Sequence, residues 1–254
     1  LDLLQSALQR KCAVCSDLIL NFSNGVHVDE ESFLQESNDV DPLIECMFLQ
    51  LIDLVKPKNW TLVEAEAVLL LAIRLNQIEV VKMLLDKYPD LMNVTTIYGQ
   101  SILVHALICK AFEIAQYLLE INDLKTSSSC STTALTVSCF TNGCPFEIVL
   151  TLMQALEKKM QFFPKSVLLE PLYYAAKLRR LDIIKLFLEK DRSLLNEPLN
   201  GHGYHLLHCV LMHELNREDM LTYLFNEFPN EINLMPQTSQ GDTVLHLSII
   251  HDVP

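Results

Sequence analysis

One phrase recurs along this chain at a nearly constant interval, and that recurrence limits the fold more than any composition could. It reads GDTVLHLS at 241–248, GQSILVHA at 99–106 and GYHLLHCV at 203–210. Looser copies are STTALTVS (131–138), LLEPLYYA (168–175) and EAEAVLLLA (64–72). Their shared leucine falls at Leu69, Leu103, Leu135, Leu172, Leu207 and Leu245, at intervals of 34, 32, 37, 35 and 38 residues. A period of roughly 20–50 residues marks a solenoid, in which each unit buries its apolar face only by stacking on its neighbours.

A second phrase follows the first five copies: IEVVKMLL (78–85), FEIAQYLL (112–119), FEIVLTLM (146–153), LDIIKLFL (181–188) and EDMLTYLF (218–225). Apolar residues at i, i+1, i+4 and i+5 give an amphipathic helix with a wide buried stripe. Three copies then leave on an apolar-to-Asn exit: DLMN (90–93), SLLN (193–196) and EIN (231–233). Each unit therefore reads as a turn, a short helix, a tight connection, a longer helix and a loop. Three of the six glycines, Gly99, Gly203 and Gly241, hold one repeat position. A hairpin turn there needs a residue tolerant of positive φ. Where glycine is lost, at Ser131 and Leu168, we expect a distorted hairpin.

These phrases resemble the ankyrin-repeat family, whose unit of about 33 residues opens G-x-T-P-L-H-x-A. GDTVLHLS is close to it, and EPLYYAA (170–176) keeps the Pro and Leu. The Thr-Pro pair is mostly replaced, and the motif histidine survives only as His208 and His246. The resemblance covers residues 61–254 as five repeats and the first half of a sixth. It implies an all-α ankyrin-repeat solenoid of helix-turn-helix units with short hairpin turns.

Residues 1–60 lack the phrase and are expected to form a helical N-terminal extension that caps the first repeat, since terminal repeats expose an apolar face. DPLIECMFLQLIDLVKP (41–57) has an N-cap at Asp41, Pro42 in the first turn and Pro57 as a stop. Residues 29–45 carry seven acids and no base, and read as a solvated loop or an acidic docking segment. Thr61-Leu-Val-Glu64 is a capping-box pattern, so the first repeat is expected to enter as a helix without a hairpin. The chain opens at Leu1 with neither Met nor a signal-like segment, and stops at Pro254 after half a repeat, so a fragment of a longer protein is expected.

GHGYHLLHCVLMH (201–213) gathers His202, His205, His208 and His213 around Cys209 and invites a metal reading. A metal needs three or four converging ligands with a supporting second shell. In the repeat register these side chains spread along a turn and a helix, so they read as structural. Cys12 and Cys15 form a CxxC with no second pair behind it. Eight dispersed cysteines suit a reducing compartment, cytoplasmic or nuclear, and the three Asn-x-Ser/Thr sites then carry no meaning. A net charge of −13 argues against a nucleic-acid footprint, and the longest apolar run, AVLLLAI (67–73), is far short of a membrane span. No cofactor or metal is expected.

Nor is catalysis expected: the chain shows no phosphate-binding glycine loop, no G-x-S-x-G elbow and no H-E-x-x-H helix. The ankyrin resemblance implies instead a scaffold that binds a protein partner through hairpin tips and a concave face made by the first helices. The tip positions are Ile97, Tyr98, Gln100, His202, Tyr204, Gln240 and Asp242. Those at the ends of the first helices are Arg74, Ile108, Cys109, Phe140, Thr141, Lys177, Leu178, Met212 and His213. Tyr98 and Tyr204 stand out as aromatic anchors. A narrower reading comes from GDTVLHLSIIHD (241–252), which resembles the opening repeat of IκB-type inhibitors of Rel transcription factors. A third is a targeting module of a larger enzyme or channel.

Overall fold

The computed structural model describes residues 62–96, 99–121, 128–160, 164–212 and 217–251. The expected N-terminal cap with its acidic loop, Cys12 and Cys15, the Thr61–Glu64 capping box, the tip residues Ile97 and Tyr98, and His213 lie outside the described residues or side chains.

The leucine phrase forms the first helix of each repeat: α1 (Leu62–Arg74), α3 (Ile102–Ile108), α5 (Ser128–Phe140), α7 (Ser166–Lys177), α9 (Leu206–Leu211) and α11 (Val244–Ile250). The second phrase forms α2 (Ile78–Lys87), α4 (Phe112–Ile121), α6 (Phe146–Lys159), α8 (Leu181–Lys190) and α10 (Arg217–Glu227). Successive first helices pack in chain order, and each of the first five packs on its own second helix. The stripes of the second helices supply the other half of the core: Val80, Val81, Leu84 and Leu85 in α2 and Ile183, Ile184, Phe187 and Leu188 in α8 are all buried. Each such side chain contributes about 1.5–3 kcal/mol by leaving water.

The shared leucine marks the register. Leu69, Leu135 and Leu172 are fully buried, with Leu207 and Leu103 at 3% and 6% exposure. Leu245 in α11 is 57% exposed.

Glycine decides how each repeat begins. Gly99, Gly203 and Gly241, four residues before the leucine, sit at φ +71°, +72° and +88°. Their helices α3, α9 and α11 are 7, 6 and 7 residues long. Isolated bridges, Thr95 with Ser101 and Gln237 with Thr243, close two of these hairpins. Without that glycine, α1, α5 and α7 run to 13, 13 and 12 residues. The distorted hairpins expected at Ser131 and Leu168 are therefore absent. Both residues lie inside helices, each 1% exposed. A side chain at that position disfavours the left-handed turn, whereas right-handed helix suits it, so the helix extends back through the phrase. Pro171 consequently falls within α7 rather than at its first turn, where proline fits best.

The connection between paired helices is equally regular. Asn76, Lys110 and Arg179 adopt φ of 52°, 57° and 61°, each seven residues after the shared leucine. The next N–H then reaches back five residues, from Gln77 to Ala72, Ala111 to Ala106 and Arg180 to Ala175, at 2.8–2.9 Å. The third repeat inserts one residue and uses Gly143 instead. On the outer side, Lys82 lies over the Tyr117 ring and Lys185 over the Tyr223 ring, 5.6 and 4.8 Å from the centroids. Both pairs join the fifth position of one second phrase to the sixth of the next.

Candidate functional site

A functional surface on such a stack must consist of side chains the stacking leaves outside. One register position meets this condition. Five residues after the shared leucine, at or just past the end of each first helix, stand Arg74, Ile108, Phe140, Lys177, Met212 and Ile250. Arg74, Ile108 and Phe140 are half-buried, and Lys177, Met212 and Ile250 are exposed. Of their immediate predecessors, Ile73, Leu107, Cys139, Ala176 and Leu211 are no more than 2% exposed, whereas Ile249 is 80% exposed. The first five helix ends are thus firmly packed, and the row projects because of its phase. Met212 at 41% and Ile250 at 66% are apolar surface the fold does not require.

The charge on this row is positive. Among the described residues neither Arg74 nor Lys177 has a carboxylate within ion-pair reach, and each closes its helix where a cation suits the dipole. Burial lowers the pKa of His105 and pushes the Cys109 thiol up to about 11; the nearby Arg74 charge deepens the first shift and opposes the second. The helices that carry Arg74 and His105, α1 and α3, pack on one another. Phe140 meets the Tyr174 ring edge-on at 4.9 Å, and Tyr174 meets Tyr173 at 5.3 Å, which carries an aromatic seam from α5 onto α7.

The hairpin tips are less uniform than the sequence suggested. His202 is exposed, yet its carbonyl accepts from Ser239 N–H at 2.8 Å, which ties the fifth hairpin to the sixth. Tyr204 is half-buried against the core. Its N–H donates to Asn200 Oδ1 and its ring stands edge-on to His208, 6.3 Å away. Gln100 and Asp242 are half-buried at hairpin bases: Gln100 N–H donates to Thr96 Oγ1 at 3.2 Å, and Asp242 N–H to Thr238 Oγ1 at 3.3 Å. Lys177, Met212 and Ile250 of the helix-end row are more open than Tyr204. Arg74, Ile108, Phe140, Lys177 and Met212 are among the helix-end positions given by the sequence; Ile250 is not, although the same phase places it in the row.

The histidines have structural work. His205 is the N-cap of α9, and its N–H donates to His208 Nδ1 at 3.2 Å; Thr243 and His246 repeat this at α11, also at 3.2 Å. Burial and the neighbouring His205 lower the pKa of His208. Burial pushes the thiols of Cys144 and Cys209 up to about 11 and about 12, which keeps them protonated and poor ligands. Among the described residues no three His, Cys, Asp or Glu side chains gather to hold a metal, and no helix is long and apolar enough to cross a membrane.

Residues 69–162, from within α1 to just past α6, match the family model for ankyrin repeats (three copies). The chain carries ankyrin repeats. The later ankyrin helices α7–α11 keep the same register beyond the matched span. No curated protein matches the chain. Ankyrin repeats generally serve as protein–protein interaction modules.

Proposed function

We propose that this ankyrin solenoid is a non-catalytic scaffold that binds a protein partner through the row at the ends of its first helices, with the hairpin tips as a flanking edge. The observation that carries this reading is the phase of Ile108, Phe140 and Met212. Each follows a residue that is fully or almost fully buried, yet each keeps apolar surface in water. Exposed aromatic, Met and Arg side chains on a rigid frame are the usual anchors of an interface. The buried, protonated thiols suit a reducing compartment, and we place the protein in the cytoplasm or nucleus.

The test is a titration of a partner recovered with the full chain against Met212→Glu and Phe140→Ala. The expected outcome is binding weakened by about 2 kcal/mol in both, the scale of an interface anchor, with the urea midpoint unchanged for Met212→Glu and lowered for Phe140→Ala by the lost Tyr174 contact. Unchanged affinity in both variants would place binding elsewhere.

A further inference from the structure

We propose that the stretch of the row from Arg74 to Lys177 takes an extended acidic segment of the protein partner, with one carboxylate opposite each cation and apolar side chains between. This rests on the row being the binding face, as argued above.

The first argument is charge. The chain carries a net −13, yet the projecting row reads Arg74, Ile108, Phe140, Lys177, Met212, Ile250 and contains no acid. Lys82, Lys190 and Arg192, by contrast, are paired within the protein with Glu79, Glu157 and Glu231. Arg74 and Lys177 have no such carboxylate among the described residues. Glu170, seven residues before Lys177 on the same face of α7, stands about 10 Å off the row along the helix axis. A strip with positive ends, set on an acidic protein, attracts an acidic partner there and repels it elsewhere.

The second argument is spacing. Packed helices lie about 8–10 Å apart, and an extended chain advances about 3.3 Å per residue. Three residues of an extended segment therefore span one repeat. Arg74 and Lys177 belong to the first and fourth repeats, so the carboxylates that meet them lie about nine residues apart. The third and sixth residues between them fall on Ile108 and Phe140. From Arg74 to Lys177 the preceding register position is buried, so this stretch offers an extended chain a narrow track.

The experiment uses the full chain and a labelled dodecapeptide with Asp at position 2, Leu at 5, Phe at 8 and Glu at 11. Comparators carry Lys at both acidic positions or place both acids side by side. Anisotropy should show the first peptide binding at least tenfold tighter than either comparator, with affinity falling as salt rises. Arg74→Gln combined with Lys177→Gln should abolish both the preference and the salt dependence while lowering the melting temperature only by the small loss of two helix-end charges. Peptides that bind without regard to charge, or not at all, while Met212→Glu still weakens the recovered partner, overturn this inference alone. No peptide binding together with an indifferent Met212→Glu sinks the binding-face reading as well. A peptide with the sequence of residues 29–45 that outcompetes the designed one would show the row filled from within the chain, and the partner segment would then be rejected.

Discussion

Asn196 holds Asn233 across a repeat boundary: the Asn233 N–H donates to Asn196 Oδ1 at 2.9 Å, while Asn196 Nδ2 donates to the Glu231 carbonyl at 2.6 Å. The asparagine that ends one exit phrase thus organises the exit phrase of the next. Asn196→Ala should cost about 1 kcal/mol, because these groups can return to water. Asn196→Asp should cost at least as much, since it sets a carboxylate oxygen against a carbonyl. Urea midpoints of the two variants check this, and an Asp variant as stable as the parent would refute it.

Gly203 and Gly99 separate backbone strain from crowding. At Gly99 an added Cβ meets nothing within 4 Å, whereas at Gly203 it stands 3.2 Å from the Gln237 carbonyl oxygen. Gly99→Ala should cost about 1–2 kcal/mol, the left-handed penalty alone. Gly203→Ala should cost more, and thermal unfolding of the pair gives the difference directly.

Lys110 presents the converse case. It is an exposed, non-glycine residue at φ 57°. Lys110→Gly should stabilise the protein by about 0.5–1 kcal/mol, as relief of the left-handed strain exceeds the added chain entropy. A lower melting temperature would contradict the turn geometry.

These turns show what the sequence made legible. Glycine at four residues before the leucine was readable as a turn because only positive φ explains its phase. The equivalent need at Asn76, Lys110 and Arg179 was hidden, because no glycine marks it. Ser131 and Leu168 misled for a related reason: a missing glycine does not bend a hairpin but removes it, since helix is the nearest allowed alternative. Tyr204 was read as an open anchor because an aromatic beside a turn is ambiguous until Asn200 and His208 are seen to hold it. The Lys82–Tyr117 and Lys185–Tyr223 contacts lay in plain view in the second phrase, yet they need the stacking of neighbouring repeats to bring them together.

Register predicts a sharp contrast among leucines. Leu172→Ala removes a fully buried side chain and should cost about 2–5 kcal/mol. Leu245→Ala, at the equivalent position but 57% exposed, should cost less than about 1 kcal/mol. Similar losses at both sites would show that α11 is covered in solution.

Acid should loosen the stack. Burial lowers the pKa of both His105 and His208 from the ordinary value of 6.5. The unfolded chain then takes up protons before the folded one, so their contribution is full above about pH 6.5 and declines as pH falls through that value toward the folded pKa. Urea midpoints should fall between pH 7.5 and pH 5.5. Replacing His208 by Gln should flatten part of that slope, and an unchanged slope would assign it to other groups.

Among the described residues the hairpins form two islands of the tip edge, one around Gly99 and the other around Gly203 and Gly241. A partner that reads tips must therefore grip twice across a gap of about 30 Å, three helix spacings. Such a grip behaves as two weak contacts joined by a tether, and its strength depends on how well the partner's own span fits the gap. Lengthening or shortening that span by a few residues would alter avidity without touching a single contact, which makes partner geometry, as much as partner sequence, the quantity this surface selects.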